Sequence, residues 1–500
     1  MPHRPFRIIT LMALLALSVP LAAPAADKMA PAGFDTFFTD ATLRVDLNHT
    51  GAADEEIVAL DRVHIEGPWA GARGKLIDSL DLGRYRARLL DAASGELLWS
   101  RGFDSYFGEW KTTAAAAAGV RRTYHESVRC PMPLRPAILA LDHRGDDNQL
   151  QEVFRAPVDP ADPELRREPL DSDLLVVEAH VGGPTANCVD VVILGEGYTV
   201  AQTEKFKTDL KRFTAALLSE EPFHSLQNQV SVRGVLKPSQ DSGCDEPTRG
   251  VYRRTALGCT FDSLGSERYL LTEDNRAIRD VARAAPYDVL SIMVNHARYG
   301  GGGTYNLFNT FTSDNQWSNY VFVHEFGHGF AGLADEYYSS STAYTDFYPE
   351  GFEPVERNIT RLIDGKPKWA ALLTAGVPVP TPWAKAEHDA MDAAYQKKRG
   401  ESNDTIARLM TGGAPAAEIN AALAANEDLS RDHQQRLDAW FARQPQWGQV
   451  GAFEGAGYCA TGVYRAQLDC IMFTKGLKNF CAACGAGIRE VIDASTDGIN

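Results

Sequence analysis

The pentapeptide HEFGH at residues 324–328 constrains the fold of this 500-residue chain more than any other segment. Two histidines four residues apart project from one face of an α-helix, one turn apart, so both imidazoles can reach a single metal ion. The surrounding sequence predicts such a helix over residues 318–333. Apolar residues recur at helical spacing along it and form a stripe that leaves both histidines on another face: Val323, Phe326, Phe330 and Leu333.

Glu325 directly follows the first histidine of this motif. On a zinc-binding helix, a carboxylate at this position can accept a proton from a water activated by the metal. A chance match on a buried helix is the alternative, but the chain has only 12 histidines in 500 residues, which makes a chance match rare. We therefore predict one catalytic Zn²⁺ bound by His324 and His328, with Glu325 as the catalytic residue.

A catalytic zinc site needs a third protein ligand and one open position. In metzincins the pattern is HExxHxxGxxH, where the glycine turns the chain back toward the metal. Here Ala334 stands at the position of the third histidine, but Gly332 and Asp335 keep the interval of three between glycine and ligand. Because a carboxylate oxygen also binds Zn²⁺, we predict Asp335 as the third ligand. The alternatives are Glu336 and, further along the chain, Glu350, Glu353 and Glu356.

The rest of the chain divides by pattern into two folding units. Residues 33–157 carry short alternating runs separated by turns, which predicts a small β-sandwich. Residues 158–173 are rich in proline and charge, which predicts an extended linker. In residues 174–500, strand-like apolar runs alternate with helical patterns, which predicts an α/β or α+β domain with a mixed sheet. The helical pattern of residues 384–446 predicts a helical insertion within that domain.

Four consecutive glycines at residues 300–303 precede the predicted metal-binding helix. No Lys-Ser or Lys-Thr pair follows them, so they do not match a nucleotide-binding loop. We interpret them as a flexible loop that leads to an edge strand. Such a strand can hold an extended peptide substrate by β-augmentation.

Residues 1–25 match a secretory signal peptide, in which basic residues precede an apolar run that ends in a small-residue cleavage site. An uncleaved membrane anchor is the weaker alternative because Ser18 and Pro20 interrupt the run and no second hydrophobic span follows. We therefore predict an exported protein, either periplasmic or secreted, with no membrane span in the mature chain. The net charge of −16, without a basic stripe, argues against nucleic-acid binding.

The chain has eight cysteines, an even number, which in an exported protein predicts disulfide bonds. The last four fall within 26 residues and could instead form a four-thiolate zinc site. Their spacing lacks a second close pair, so disulfides remain the preferred prediction. These four are Cys459, Cys470, Cys481 and Cys484.

The zinc-helix region HEFGHGFAGLADEY closely resembles that of the bacterial IgA-peptidase-type metallopeptidases, a metzincin-like family. Residues 33–157 are similar to the β-rich domain that precedes the peptidase in this family. The resemblance implies zinc bound by His324, His328 and Asp335, a catalytic Glu325, and Met472 in a tight turn beneath the metal. It does not imply that immunoglobulin is the substrate. Further similar blocks are VDVVILGEGYT (189–199), NHARYGGGGTY (295–305) and EGAGYCATGVYRAQLDCIM (454–472).

These features predict a zinc-dependent endopeptidase that hydrolyses extracellular or host proteins and glycoproteins. Two alternatives are a noncatalytic, zinc-stabilised adhesin or glycan-binding protein and a zinc amidase acting on cell-wall peptides. The presence of Glu325 disfavours the first, because a structural metal site needs no general base. Some metzincins place a tyrosine two residues after the methionine of the tight turn, where this chain has Thr474. Tyr337 and Tyr464 are therefore the candidate donors to the oxyanion.

Overall fold

The computed structural model describes residues 33–498, except 267–268, 339–347 and 349–350. The predicted signal peptide and Glu350, one of the alternative ligands, lie outside the described residues. Within the described part, no helix is both long enough and apolar enough to span a bilayer.

The N-terminal region consists of two antiparallel sheets with strand orders β2-β1-β5 and β4-β3-β6-β7. Alternate residues of β1, such as Leu43 and Val45, pack in one apolar core with Leu89 and Leu139 of the second sheet. The strands are β1 (Phe38–Ala52), β2 (Glu55–Glu66), β3 (Tyr85–Asp91), β4 (Leu97–Phe103), β5 (Arg122–Pro133), β6 (Ala137–Arg144) and β7 (Leu150–Val158). Three short helices accompany them: α1 (Phe34–Phe37), α2 (Tyr106–Lys111) and α3 (Ala114–Ala117).

A six-stranded mixed sheet forms the centre of the second region, with the order β12-β13-β11-β9-β10-β8. The four inner strands are parallel, and the edge strands β8 and β12 run antiparallel to their neighbours. Both faces are covered, which explains why β9 is a nearly continuous apolar run. The strands are β8 (Leu175–His180), β9 (Val189–Glu196), β10 (Val230–Leu236), β11 (Val289–Val294), β12 (Gly301–Thr304) and β13 (Phe308–Thr312).

The two faces of this sheet pack in separate cores. Val191 and Ile193 of β9 point to a core shared with the long helices, whereas Val192 and Leu194 point to a core shared with α5 and with α2 of the N-terminal region. The helices of the second region are α4 (Thr203–Ser219), α5 (Asn275–Ala282), α6 (Ser318–Ala331), α7 (Lys385–Thr411), α8 (Ala416–Phe441) and α9 (Ala482–Ser495). The predicted fold class, a β-rich N-terminal region followed by a mixed α/β region, is confirmed.

Helix α6 carries the HEFGH motif and ends two residues before the predicted boundary of 333. Gly332 adopts a left-handed conformation (φ 56°), and its N–H donates to the carbonyl oxygen of His328. The N–H of Leu333 then donates to the carbonyl oxygen of Gly327. This pair of hydrogen bonds closes the helix and reverses the chain, which a residue with a Cβ would do only under strain.

Helices α7 and α8 pack against each other as a hairpin within the predicted insertion. A small sheet with the order β14-β16-β15 is formed by one strand that precedes this hairpin in the sequence and two that follow it. These strands are β14 (Ile359–Thr360), β15 (Phe453–Ala456) and β16 (Cys459–Arg465). All eight cysteines have free thiols in the structure. The predicted disulfide bonds therefore stay a prediction.

Candidate active site

Helix α6 places the two motif histidines side by side at the bottom of a cleft. Their Nε2 atoms are 3.2 Å apart. The Nδ1 atom of His324 lies 2.9 Å from the carbonyl oxygen of Ile471, and that of His328 lies 2.6 Å from the carbonyl oxygen of Leu333. Because a carbonyl oxygen only accepts, each Nδ1 carries a proton, so Nε2 is the atom that each ring can offer to a metal ion.

The chain reversal at Gly332 brings Asp335 to the same point. Its Oδ1 atom lies 3.2 Å from Nε2 of His324 and 3.2 Å from Nε2 of His328. Three electron-pair donors therefore surround one position, and Oδ1 has no hydrogen-bond donor among the described residues. Tetrahedral ligands about 2.0–2.1 Å from a zinc ion stand about 3.3 Å apart, so these residues fit a zinc ion.

The charges at this point also call for a cation. Burial by itself lowers the pKa of His328, but the Asp335 and Glu325 carboxylates outweigh it and raise that pKa to about 9. Burial alone would raise the pKa of Asp335, but the neighbouring histidines hold it well below its ordinary value. The carboxylate therefore stays ionised, which suits a metal ligand.

Tyr458 positions the Asp335 carboxylate, a role that no sequence motif predicts. Its hydroxyl donates a short hydrogen bond to Oδ2, which leaves Oδ1 facing the histidines. The N–H of Gly457 donates to the carbonyl oxygen of Asp335 at 2.9 Å. The turn between β15 and β16 therefore fixes both the backbone and the side chain of this residue.

Glu325 lies between α6 and the edge strand β12. Its carboxylate and the histidine nitrogens lie within 4.8 Å of one another. A Cβ on Gly301 would lie 3.0 Å from Oε1 of Glu325, and one on Gly303 would lie 2.6 Å from its backbone oxygen. Glycines are thus required here because the strand passes this close to the helix.

The turn containing Met472 lies beneath α6. The Met472 side chain is fully buried, and its sulfur lies 3.0 Å from the position that a Cβ on Gly327 would take. Its carbonyl oxygen accepts from the N–H of Glu336 at 2.8 Å. The turn therefore supports the histidine-bearing helix and the chain segment that carries Asp335.

Two family models match this chain and together cover most of it. Residues 177–492 match the model described as IgA Peptidase M64, and residues 33–155 match its companion, Peptidase M64 N-terminus. The chain belongs to the IgA peptidase M64 family. It is therefore a metallopeptidase, a hydrolase that acts on proteins or peptides with the help of a metal cofactor. No curated protein matches the chain.

The alternative ligands in this M64 peptidase have other partners, and of the described ones only Glu356 lines the same cleft. The Glu336 carboxylate points away from the histidines, toward Cys481 and Cys484, and burial raises its pKa well above the ordinary value. Glu353 accepts from the hydroxyl of Thr360 and from two backbone N–H groups. Oε1 of Glu356 accepts from the hydroxyl of Tyr348.

The candidate oxyanion donors differ in position. Tyr337 lines the cleft, and its hydroxyl lies 3.4 Å from that of Tyr458. Tyr464 is on β16, outside the lining of the cleft. Thr474 lines the cleft, but its hydroxyl donates to Asp469 at 2.5 Å. Of the two candidate tyrosines, Tyr337 therefore has the better position.

The cleft of the M64 peptidase has a volume of about 700 Å³ and walls from separate parts of the chain. One wall comes from the N-terminal region, including Glu109 and Lys111 of α2. The other comes from the α7–α8 hairpin, including Tyr395 and Gln434. Burial and the nearby Asp104 carboxylate raise the pKa of Glu109 to about 7, so this wall changes charge near neutral pH.

Proposed function

We propose that this M64 peptidase is a zinc-dependent endopeptidase that hydrolyses extracellular or host proteins and glycoproteins. The observation that carries the proposal is the convergence of two imidazole nitrogens and one carboxylate oxygen, each 3.2 Å from the others. This donor set and spacing suit Zn²⁺, whereas Ca²⁺ and Mg²⁺ favour six or more oxygen ligands. The signal-peptide pattern at residues 1–25 supports export to the periplasm or the exterior.

The substrate in this proposal is an extended polypeptide that lies along β12. This strand is the last of its sheet, and among the described residues only a single bridge, between Tyr269 and Gly301, lies on its outer side. Its free backbone groups can pair with a peptide as an added strand. The scissile bond of the peptide would then lie beside Glu325 and the histidine pair.

The chain's own residues supply the proton transfers. When bound, zinc would supply a water of lowered pKa and polarise the scissile carbonyl. Glu325 accepts the proton of the attacking water and delivers it to the leaving amine. The carbonyl oxygens of Ile471 and Leu333 keep the two imidazoles in the tautomer that presents Nε2, and Tyr458 keeps Asp335 oriented.

Glu325→Gln tests this mechanism with denatured casein as the substrate. Loss of the general base should lower kcat by about 10²–10⁴-fold while the zinc content stays unchanged. The matched control is Glu418→Gln, because Glu418 is exposed on α8, away from the cleft lining. Unchanged cleavage by Glu325→Gln would refute the assigned role and favour a noncatalytic function.

Two further measurements test the metal and the substrate class. Removing the metal with a chelator should abolish cleavage, and Zn²⁺ should restore it where Ca²⁺ does not. Mass spectrometry of the products should show cuts at internal peptide bonds of the protein substrate. Release of peptides from cell-wall material, without cleavage of casein, would instead indicate an amidase.

A further inference from the structure

Four ligand-type side chains converge behind the candidate active site, and the mechanism uses none of them. They come from the loop after Asp335, from the turn of Met472 and from the start of α9. All four residues are buried, and their ligand atoms lie within 4.8 Å of one another. The members of this cluster are Glu336, Cys470, Cys481 and Cys484.

The spacing within the cluster matches one tetrahedral metal ion. The sulfurs of Cys470 and Cys484 are 3.8 Å apart. Oε1 of Glu336 lies 3.3 Å from the sulfur of Cys481 and 3.1 Å from that of Cys484. Around zinc, with Zn–S about 2.3 Å and Zn–O about 2.0 Å, tetrahedral geometry gives about 3.8 Å between sulfurs and about 3.5 Å between sulfur and oxygen.

Backbone N–H groups point at two of the three sulfurs. The N–H groups of Met472 and Cys481 point at the sulfur of Cys470, at 3.5 and 3.1 Å. Cys481 is the N-cap of α9, a 14-residue helix, and its sulfur accepts from the N–H of Cys484 at 3.4 Å. Backbone N–H groups and the positive end of a helix dipole both stabilise negative sulfur.

The buried Glu336 carboxyl group also points to a bound cation. Glu336 is 0% exposed, and its Oε2 atom has no hydrogen-bond partner among the described residues. A carboxyl group in this condition is costly unless a cation binds it. Arg465 is also fully buried, but its guanidinium donates to the backbone oxygens of residues 454, 455 and 468 rather than to Glu336.

We propose that Glu336, Cys470, Cys481 and Cys484 bind a second, structural Zn²⁺ ion. Four protein ligands close the coordination shell, as in structural zinc sites, and leave no open position for a substrate. The proposal does not depend on the function assigned to the histidine site. It revises the expectation of disulfides for three of the last four cysteines.

A disulfide explains the cluster less well. Bonded sulfurs are about 2.05 Å apart, much closer than the pair in this structure. Three cysteines also leave one thiol unpaired, and a disulfide supplies no cation to the buried Glu336 carboxylate, whose Oε1 accepts from the Asn358 amide and whose Oε2 has no hydrogen-bond partner among the described residues. Cys459 does not complete a second pair here, because it packs in another cluster with Ile359 and Val463.

The second ion would join segments that position the first. Glu336 follows Asp335 directly, and Cys470 precedes Ile471, whose carbonyl oxygen fixes the tautomer of His324. Binding at the thiolate site would therefore hold both a proposed ligand of the catalytic ion and a hydrogen-bond acceptor behind it. Its role is to position the active site.

Metal stoichiometry of the full chain, purified without chelators, tests this proposal. Elemental analysis should give two zinc ions per chain for the natural protein. His328→Ala should keep one, and Cys484→Ser should keep the other or lose its fold. Cys188→Ser is the matched control, because Cys188 is a buried cysteine at the start of β9 and should keep both ions.

Cobalt substitution keeps the test decisive if Cys484→Ser does not fold. Co²⁺ bound to His328→Ala should show the strong near-ultraviolet absorption of cobalt–thiolate bonds, which a site of histidine and aspartate does not give. Absence of metal from His328→Ala, absence of this absorption, or a disulfide between any two of the three cysteines in an unreduced digest would each overturn the proposal.

Discussion

At the scale of single residues, Tyr458 is held in an uncommon conformation to serve Asp335. Its φ of 62° lies in the left-handed region, and its N–H donates to the carbonyl oxygen of Tyr337. Burial and the Asp335 carboxylate raise the pKa of Tyr458 well above its ordinary value, so the phenol remains a donor at neutral pH. Such strain at a binding site is typical of residues that preorganise ligands.

Tyr458→Phe should weaken metal binding at the histidine site. Removal of the hydroxyl leaves Asp335 free to turn, and loss of such a supporting hydrogen bond costs about 10–100-fold in metal affinity. Competition against a chromophoric chelator measures this change. Cleavage of casein at limiting zinc should fall in parallel and recover when zinc is added in excess.

Tyr464→Phe provides the control, because Tyr464 is a tyrosine on β16 of the same small sheet. It should bind zinc like the natural protein. Equal zinc affinity for Tyr458→Phe and Tyr464→Phe would show that the hydrogen bond to Asp335 does not support the metal.

Local spacing explains which site residues the sequence could predict. The structure brings His324, His328 and Asp335 together as the helical period and the glycine interval lead one to expect, although their roles as ligands stay a prediction. Tyr458 could not be found this way, because 123 residues separate it from Asp335 and no spacing rule joins them. Glu336 was the nearest alternative to Asp335, and only the structure shows that it faces the cysteines.

At the scale of elements, helix α2 carries a titratable group of the N-terminal region to the cleft. Glu109 lies on this six-residue helix, and its pKa is raised to about 7. A carboxyl group whose folded pKa is raised binds its proton more tightly in the folded state. Its contribution to stability is fully present below pH 4.5, the ordinary value, and is lost as pH rises to about 7.

Glu109→Gln should therefore stabilise the protein at pH 8 and have less effect at pH 4. Because the amide carries no charge to desolvate, we expect a gain of about 1 kcal/mol in the free energy of unfolding at pH 8. Urea unfolding at the two pH values measures it. The exposed Glu164 supplies the control Glu164→Gln, and a gain of equal size at both pH values would contradict the ionisation argument.

The periodicity of apolar residues predicts the presence of helices and strands better than it predicts where they end. The apolar run of β9 and the stripe of α6 are strong signals, and both elements are present. The end of α6 was placed two residues too late, because the pattern of apolar residues continues to Leu333 while Gly332 already leaves the helix. The five alanines at 114–118 carry no periodic pattern, and most of them form α3.

At the scale of the whole molecule, the N-terminal region shares a core with the peptidase region. Tyr106, Phe107 and Trp110 pack in the same apolar cluster as Leu257 and Phe261. Polar contacts join β1 and β5 to α5: Arg44 of β1 donates to Asp280 at 2.7 Å, and Ser127 of β5 accepts from Asn275 at 2.8 Å. Removing one region would therefore expose the apolar cluster and the polar contacts that the other region shares with it.

A truncated chain of residues 174–500 should therefore fold poorly on its own. It loses the aromatic side chains of α2 and leaves their apolar partners in water, and exposed patches of this kind cause aggregation. Size-exclusion chromatography and limited proteolysis should show aggregated or rapidly digested material. The control is the chain from residue 33 onward, which should be monodisperse, and an equally compact and active truncated chain would contradict this prediction.

The sequence separated the two regions but could not show that they share a core. Alternating runs identify which residues of a strand are buried, not which partner covers them. β1 illustrates the difficulty, because Arg44 and Asp46 alternate with apolar residues but are fully buried, and Arg44 donates to Asp280 of the second region. Such long-range pairing is visible only in the folded molecule.

The cleft has an evolutionary consequence. Its histidine pair and Asp335 lie on α6 and in the loop after it, whereas its walls come from α2 and from the α7–α8 hairpin. Selection can therefore change the walls without disturbing hydrolysis. Lineages that inherit this fold can acquire new target proteins by altering or exchanging the hairpin, and the same exchange offers a route to engineered proteases.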